Sequence, residues 1–454
     1  MKSIEIKKSR PVKNQARKFI SLALLALLLL FFACNSGTED DIVIPQNNEN
    51  IPTPPPDPNP NEGTGNKELP DAKPIELRLT KKTETDNDFA FDLFKTTYQF
   101  DDNDNIFISP LSVSMALSMT LNGAKGATLE EMKTALRAQG YSVDEINEYN
   151  KSLKKALMEV DETTDFTIAN SIWYRDNITV YDDFISVNKD NYDAEIKPID
   201  FTSPDAITQI NDWCALHTKD KIKEVLTEIP GNALMYLINA IYFKGVWASV
   251  FDKENTKKED FFTEEKVSTG NVDMMQQTDF FGYFEDEYCR YIRLPYGNKA
   301  FSMIVMLPEE GKTVNDIISN LESKRWNNAM DYMSSWLVNI RLPRFKAECE
   351  YYMEESILPK MGMITPFTGN ADFSGIMNID SYINKVIHKT FVEVNEEGTE
   401  AAAVTVVGMV ESAGEPTEPP IIIDYIVNKP FVFAIRENST GAVLFIGKMG
   451  KIEQ

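Results

Sequence analysis

Histidine is nearly absent from this sequence, which holds His217 and His388 among 454 residues. Metal centres built on imidazole, and catalytic triads built on a histidine base, therefore lack their usual members. The patterns His-Glu-x-x-His and Gly-x-Ser-x-Gly and a phosphate-binding glycine loop are missing as well. We therefore predict a protein that is not an enzyme and needs no metal or cofactor. His217 is expected on a helix surface, and His388, flanked by apolar strand residues, in a buried structural hydrogen bond.

Cysteine is also scarce. The four cysteines are Cys34, Cys214, Cys289 and Cys349, and no two of them form a Cys-x-x-Cys pattern. Apart from Cys34 an odd number remains, so at most one internal disulfide is possible, and three buried thiols are favoured.

Basic side chains are outnumbered by acidic ones. The sequence has 46 Lys and Arg against 70 Asp and Glu, a formal net charge of -24. Phosphate binding needs a basic surface, so we predict that nucleic acid is not a partner. The hydrophobic fraction of 43% is enough for a large packed core.

The N-terminal region has the layout of an exported lipoprotein. A basic start is followed by the apolar run 19–33, which is typical of a secretory signal and short for a membrane span. The run ends in Phe-Phe-Ala-Cys34, which resembles a lipobox, and this predicts a lipid anchor on Cys34. An ordinary secretion signal is the alternative. The acidic cluster Asn35–Asp41 resembles the export tag of surface lipoproteins in Bacteroidetes-like bacteria.

These features predict three parts: a signal segment at 1–34, a proline-rich tether at 35–74 that cannot bury a core, and a folded domain at 75–454. The expected location is the outer membrane, exposed at the cell surface. An extracellular or periplasmic location is expected if the protein is not displayed there.

Helical patterns dominate the first half of the folded domain and strand patterns the second, which predicts an α+β class. The segment 86–100 has its aromatic residues at helical spacing. Thr128 with Glu131 suggests a capping box at the start of a helix. Apolar runs of strand character recur toward the C-terminus, so we expect large, mostly antiparallel sheets.

The run EEGTEAAAVTVVGMV, Glu396–Val410, is a well-made strand between two loop-like segments. Its side chains alternate between two faces. One face holds no charged side chain, and its members are Thr399, Ala401, Ala403, Thr405, Val407 and Met409. The other face has Glu400 as its only charged side chain, and its members are Glu400, Ala402, Val404, Val406, Gly408 and Val410. The prolines that would interrupt a sheet all lie beyond this segment.

Six segments, in order, resemble the serpin family and together span 75–454. They are 105–132, 237–262, 271–275, 371–376, 388–403 and 428–449. The resemblance implies a serpin fold: a helical N-terminal part, a large central mixed sheet, two further sheets and an exposed reactive loop.

The resemblance also implies a mechanism. A serpin offers its loop as bait, and when a protease cleaves the loop the freed segment enters the central sheet as an extra strand and distorts the acyl-linked protease. The hinge of this movement is carried over to Glu396, Glu397, Gly398, Thr399, Glu400, Ala401, Ala402 and Ala403. The polar shutter and the top of the sheet are carried over to Ser109, Ser112, Asn239, His388 and Trp247. Plain core packing is the alternative for these last five residues.

Family spacing from Gly398 places the cleaved bond at Ser412–Ala413. The loop is longer than in typical relatives, so neighbouring residues stay open as alternatives: Met409, Val410 and Glu411. A small residue before the bond suits an elastase-like protease. No Lys or Arg occurs between Glu396 and Asn428, which disfavours trypsin-like targets.

The sequence thus predicts a monomeric, irreversible suicide inhibitor of elastase-like serine proteases, with papain-like cysteine proteases as a second target class. The alternative is a serpin-fold surface lipoprotein that binds a ligand without inhibition. Hinges of that kind typically carry charged, bulky or proline residues, and this one has none after Glu400.

Overall fold

The computed structural model describes residues 70–399 and 421–452. Cys34, most of the predicted tether, the hinge residues Glu400, Ala401, Ala402 and Ala403, and the candidate bond residues from Met409 to Ala413 lie outside this range. The signal, tether and bond assignments therefore stay predictions.

Within the described residues the chain forms nine α-helices, most of them in its first half. Their bounds are α1 Thr80–Phe100, α2 Pro110–Leu121, α3 Gly126–Ala135, α4 Val143–Glu159, α5 Asp182–Tyr192, α6 Asp205–His217, α7 Val314–Ser319, α8 Ser323–Tyr332 and α9 Ile357–Lys360. None of these helices is long and apolar enough to cross a membrane.

Fifteen strands are present in the same part of the chain. Their bounds are β1 Asn105–Ile108, β2 Asp165–Arg175, β3 Glu195–Ile199, β4 Met235–Val246, β5 Lys257–Phe262, β6 Ser268–Glu285, β7 Cys289–Pro295, β8 Phe301–Pro308, β9 Ser334–Pro343, β10 Phe345–Tyr352, β11 Ile387–Asn395, β12 Gly398–Thr399, β13 Ile423–Ile426, β14 Phe431–Glu437 and β15 Val443–Met449.

The predicted α+β class is confirmed. A six-stranded sheet has the order β10-β11-β12-β4-β2-β3, and a nine-stranded sheet holds the remaining strands. The six-stranded sheet is mixed, because β2 and β3 run parallel while its other pairs are antiparallel. The two further sheets that we predicted are hydrogen-bonded into one, since β6 is 18 residues long and pairs with β5, β7 and β9.

Both faces of the six-stranded sheet are covered. Helix α6 packs on one face, where Ile210, Trp213 and Cys214 meet Ile238 and Ala240 of β4. On the other face Ile241 and Phe243 of β4 join the core shared with the nine-stranded sheet. A strand in this sheet must therefore carry apolar or small side chains on both sides.

The capping box predicted from Thr128 and Glu131 is wrong. Helix α3 begins at Gly126, two residues before Thr128. The Thr128 hydroxyl instead accepts the N–H of Asp372, and the Glu131 carboxylate accepts the N–H groups of Ile364 and Thr365. Because the helix begins before Thr128, neither side chain is at a capping position, and both bind a segment distant in the sequence.

The predictions for the rarer residues fit the fold closely. His217 is the last residue of α6, and its ring lies 4.3 Å from that of Trp213, centroid to centroid. The three internal cysteines are unpaired. Cys214 and Cys289 are buried, as predicted, while Cys349 is only partly buried.

Candidate functional site

A gap divides the six-stranded sheet between β4 and β11. Among the described residues these two strands are joined only by the two-residue strand β12 at one end. Beyond β12, a cavity of about 360 Å³ is lined by β4 on one side and by residues 383–389, leading into β11, on the other, with α2 as its floor. A smaller cavity of about 20 Å³, lined by Phe243, Val392 and Thr399, lies between the larger cavity and β12.

Strand β12 is the start of a strand in that gap. Thr399 is paired with Gly245 of β4 and with Val394 of β11, and Gly398 with Val246 and Asn395. Both contacts are antiparallel, so a chain continuing from Thr399 in this register would run along the gap between the two strands. The predicted hinge therefore lies at one end of a strand position that, beyond Thr399, no described residue fills.

Glycine is required at position 398 by the close approach of β4. The φ of Gly398 is +153°, and a Cβ built there would overlap the carbonyl oxygen of Gly245. Any larger residue would push β12 away from β4. The glycine lets the chain turn from β11 straight into the mouth of the gap.

Two stacked aromatic rings hold Thr399 in place. The hydroxyl groups of Tyr296 and Thr399 are 2.6 Å apart, and both residues are buried. The Tyr296 ring stacks on Trp247 at 4.4 Å between centroids. The Trp247 indole N–H donates to the carbonyl of Asn395, at 2.9 Å, so Trp247 touches the hinge as well as the core.

The acidic pair of the hinge is bound by ion pairs. Glu396 is 1% exposed, and its carboxylate accepts hydrogen bonds from the Arg344 guanidinium at 2.6–2.9 Å and from the Thr256 hydroxyl. Burial opposes ionisation of Glu396, but these hydrogen bonds outweigh it and hold the pKa of the carboxyl below its usual range. Glu397 pairs with Lys253 at 2.5 Å.

Three of the four predicted shutter residues are hydrogen-bonded together. The N–H of Ser109 donates to Nε2 of His388 at 2.9 Å, and the Ser109 hydroxyl accepts the N–H of Ser112 as the N-cap of α2. Because Nε2 accepts, the His388 proton is on Nδ1. Burial lowers the pKa of His388 to about 3, so the ring is neutral. The predicted buried hydrogen bond of His388 is present.

Asn239, the fourth shutter residue, stands apart from the others. Its amide N–H donates to Asn170 at 2.7 Å, and its buried Oδ1 has no hydrogen-bond partner among the described residues. Asn239, Ser112 and His388 all line the larger cavity. A buried acceptor without a hydrogen-bond donor costs free energy, and a donor on a strand inserted between β4 and β11 would remove that cost.

Sequence reasoning missed several residues of this site. Tyr296, Arg344, Thr256, Lys253 and Asn170 all bind predicted site residues. All five contact partners at least 52 positions away, so no local pattern could have indicated them. Within the described ranges, no group of three or more His, Cys, Asp or Glu side chains could hold a metal ion.

Comparisons with known proteins agree with this geometry. A family model described as Serpin (serine protease inhibitor) matches residues 84–452. Serpin B4 of Homo sapiens is 34% identical over 390 residues, covering 81% of this chain and 98% of that protein. The leukocyte elastase inhibitor of Sus scrofa is 34% identical over 376 residues, covering 80% and 97%.

A solved structure shows the same likeness. The native state of a thermophilic serpin, tengpin, matches with a TM-score of 0.75 and 31% sequence identity, covering 84% of this chain and all of that chain.

Proposed function

Because the chain belongs to the serpin family, we propose that it is an irreversible suicide inhibitor of serine endopeptidases, which it traps by inserting the segment after Thr399 into its central sheet. The observation that carries this proposal is the position between β4 and β11, where Gly398 and Thr399 are the only described residues that pair with both strands.

The length of the gap suits the segment. Strand β4 has twelve residues, and in the register of Thr399 with Gly245 they would pair with residues 398–409. Six residues beyond Thr399, the same register brings Thr405 opposite Asn239 on one side and His388 on the other. The Thr405 hydroxyl would then be the donor that Asn239 Oδ1 lacks.

The two faces of the segment suit the two faces of the sheet. Thr399 points toward the core that contains Phe243 and Val392, so Ala401, Ala403 and the other uncharged residues of its face would follow it there. The opposite face would turn toward α6, and in the same register Glu400 would lie opposite Lys244.

The chemistry needs nothing beyond the protease's own. The protease serine attacks the carbonyl carbon before the cleaved bond, an ester forms, the amide bond breaks and the new amine leaves with a proton. Water would normally hydrolyse this ester. Insertion of the freed segment pulls the esterified protease away from its docking position and distorts its active site, so hydrolysis stalls.

We further propose an elastase-like target. Ser412, the residue before the candidate bond Ser412–Ala413, is small, and Met409, Val410 and Glu411 are the alternative positions. Trypsin-like pockets need a basic side chain, which this loop lacks. A matched relative is named as a leukocyte elastase inhibitor, which supports the same class. The lipid anchor on Cys34 would display the inhibitor on a bacterial outer membrane.

The test is a denaturing gel of residues 35–454 mixed with a neutrophil or pancreatic elastase. We expect a band at the summed mass that survives SDS, because the ester is covalent. Elastase with a blocked active site is the control and should give no such band. N-terminal sequencing of the released C-terminal peptide will distinguish Ala413 from the alternatives. Complete cleavage with undiminished elastase activity would rule out trapping of this protease.

A further inference from the structure

The residues just before α1 are bound to the body of the protein along their whole length. The N–H of Ala72 donates to the carbonyl of Asn298 at 2.8 Å, and the N–H of Ile75 donates to the Ser439 hydroxyl at 2.8 Å. Ala72, Ile75, Leu77 and Leu79 pack on the core that contains Trp247 and Tyr296. We call residues 71–79 the strap.

The strap contacts the turn 296–300 that joins β7 to β8. Besides the bond from Ala72, Asp71 pairs with Lys299 at 3.0 Å. This ion pair is exposed and contributes little by itself, so the backbone bond and the apolar packing carry the contact. Gly297 and Lys299 both have positive φ, which fixes the turn in a tight form with few alternatives.

The same turn contacts the hinge. The N–H of Gly297 donates to the carbonyl of Val246 at 2.8 Å, beside the residue pair that holds Gly398. Its first residue, Tyr296, stacks on Trp247 and reaches the Thr399 hydroxyl. The turn 296–300 therefore contacts the strap through Asn298 and Lys299. It contacts the hinge region through Tyr296 and Gly297.

We propose that the strap is a positioning element for the hinge, acting through the turn 296–300 and Tyr296. It holds Tyr296 against Thr399, and so sets how readily the segment after Thr399 enters the sheet. The predicted tether to the membrane anchor is continuous in sequence with the strap. Attachment of the protein to the membrane would therefore affect the rate at which the segment after Thr399 enters the sheet. The consequence for inhibition rests on the proposed function, whereas the coupling itself does not.

The coupling is tested by hydrogen exchange on the uncleaved protein with no protease present. Ala72→Pro removes the N–H that binds Asn298. We expect the amides of residues 245–251 and 394–399 to exchange about fivefold faster, the change that loss of one hydrogen bond produces. Arg78→Ala is the matched control, because it breaks the ion pair of the same strap with Glu148 on α4, away from the turn. It should leave the hinge amides unchanged.

A double variant tests the route. Tyr296→Phe keeps the ring stack and removes the hydroxyl that binds Thr399. If the strap acts through Tyr296, Ala72→Pro adds little further exchange at the hinge when Tyr296 is already Phe. Faster exchange at the turn with an unchanged hinge, or fully additive effects of the two substitutions, would overturn the proposal. Neither result depends on whether elastase is trapped, so a failure of the proposed function would be recognised separately.

Discussion

Thr405→Arg is expected to convert the inhibitor into an ordinary substrate, which elastase cleaves and then releases without being trapped. In the register of Thr399 with Gly245 and Val394, position 405 falls between Asn239 and His388. His388 is buried and neutral, and among the described residues the lining of the larger cavity includes one carboxylate, that of the exposed Asp380. A buried charge without a partner costs several kcal/mol, and ~4 kcal/mol would slow insertion about a thousandfold. Hydrolysis of the ester would then be faster than insertion of the segment.

The measurement is the yield of SDS-stable complex against the yield of cleaved chain. Thr417→Arg is the matched control, since it introduces the same side chain in the same loop beyond the twelve-residue segment. We expect complex from the control and cleaved chain alone from Thr405→Arg. Equal complex yields from the two variants would show that the segment does not enter the sheet in this register.

Arg344→Gln is expected to shorten the life of the native inhibitor. The substitution leaves the buried Glu396 carboxylate with the Thr256 hydroxyl as its remaining side-chain donor. Loss of a charged hydrogen-bonded partner costs about 2–3 kcal/mol, toward the lower part of the range for ion pairs because the Arg344 side chain is partly exposed. If that cost falls on the closed hinge, spontaneous insertion of the uncleaved loop should be about 30- to 160-fold faster.

The assay follows elastase inhibition after incubation at a fixed temperature. Asp273→Asn is the control, because Asp273 also contacts Arg344 but only at 3.5 Å and on a partly exposed side. We expect the half-life of inhibitory activity to fall steeply in Arg344→Gln and little in Asp273→Asn. Equal half-lives would mean that the Glu396 ion pair does not hold the hinge.

The local patterns of the sequence predicted the parts of this site that depend on local rules. Alternation along 399–410 identified an uncharged face, and Thr399 does point into the core. The apolar neighbours of His388 predicted its burial and its structural hydrogen bond. Both features follow from the two-residue period of a strand, which is visible in a single segment.

The parts that depend on tertiary contacts could not be predicted from one sequence. Nothing near Arg344 indicates that it will bind Glu396, 52 positions away, and nothing near Tyr296 indicates Thr399, 103 positions away. The wrong capping box has the same origin, since Thr128 and Glu131 satisfy donors from residues 364–372 rather than their own helix.

The central claim is that the freed segment becomes a strand of the six-stranded sheet. Insertion would add a twelve-residue strand paired on both sides and bury its apolar face, a gain on the order of 10 kcal/mol. In a domain of this size such a gain raises the melting temperature by roughly 10 °C or more.

The most direct test is the melting temperature of the protein before and after the loop is cut by a metalloprotease, which forms no acyl-enzyme and releases the cleaved chain. We predict that cleavage between Glu411 and Pro420 raises the melting temperature by roughly 10 °C or more, as estimated from the buried strand. A cleaved form that melts at the temperature of the intact protein would contradict insertion, and the protein would then be a serpin-fold binding protein.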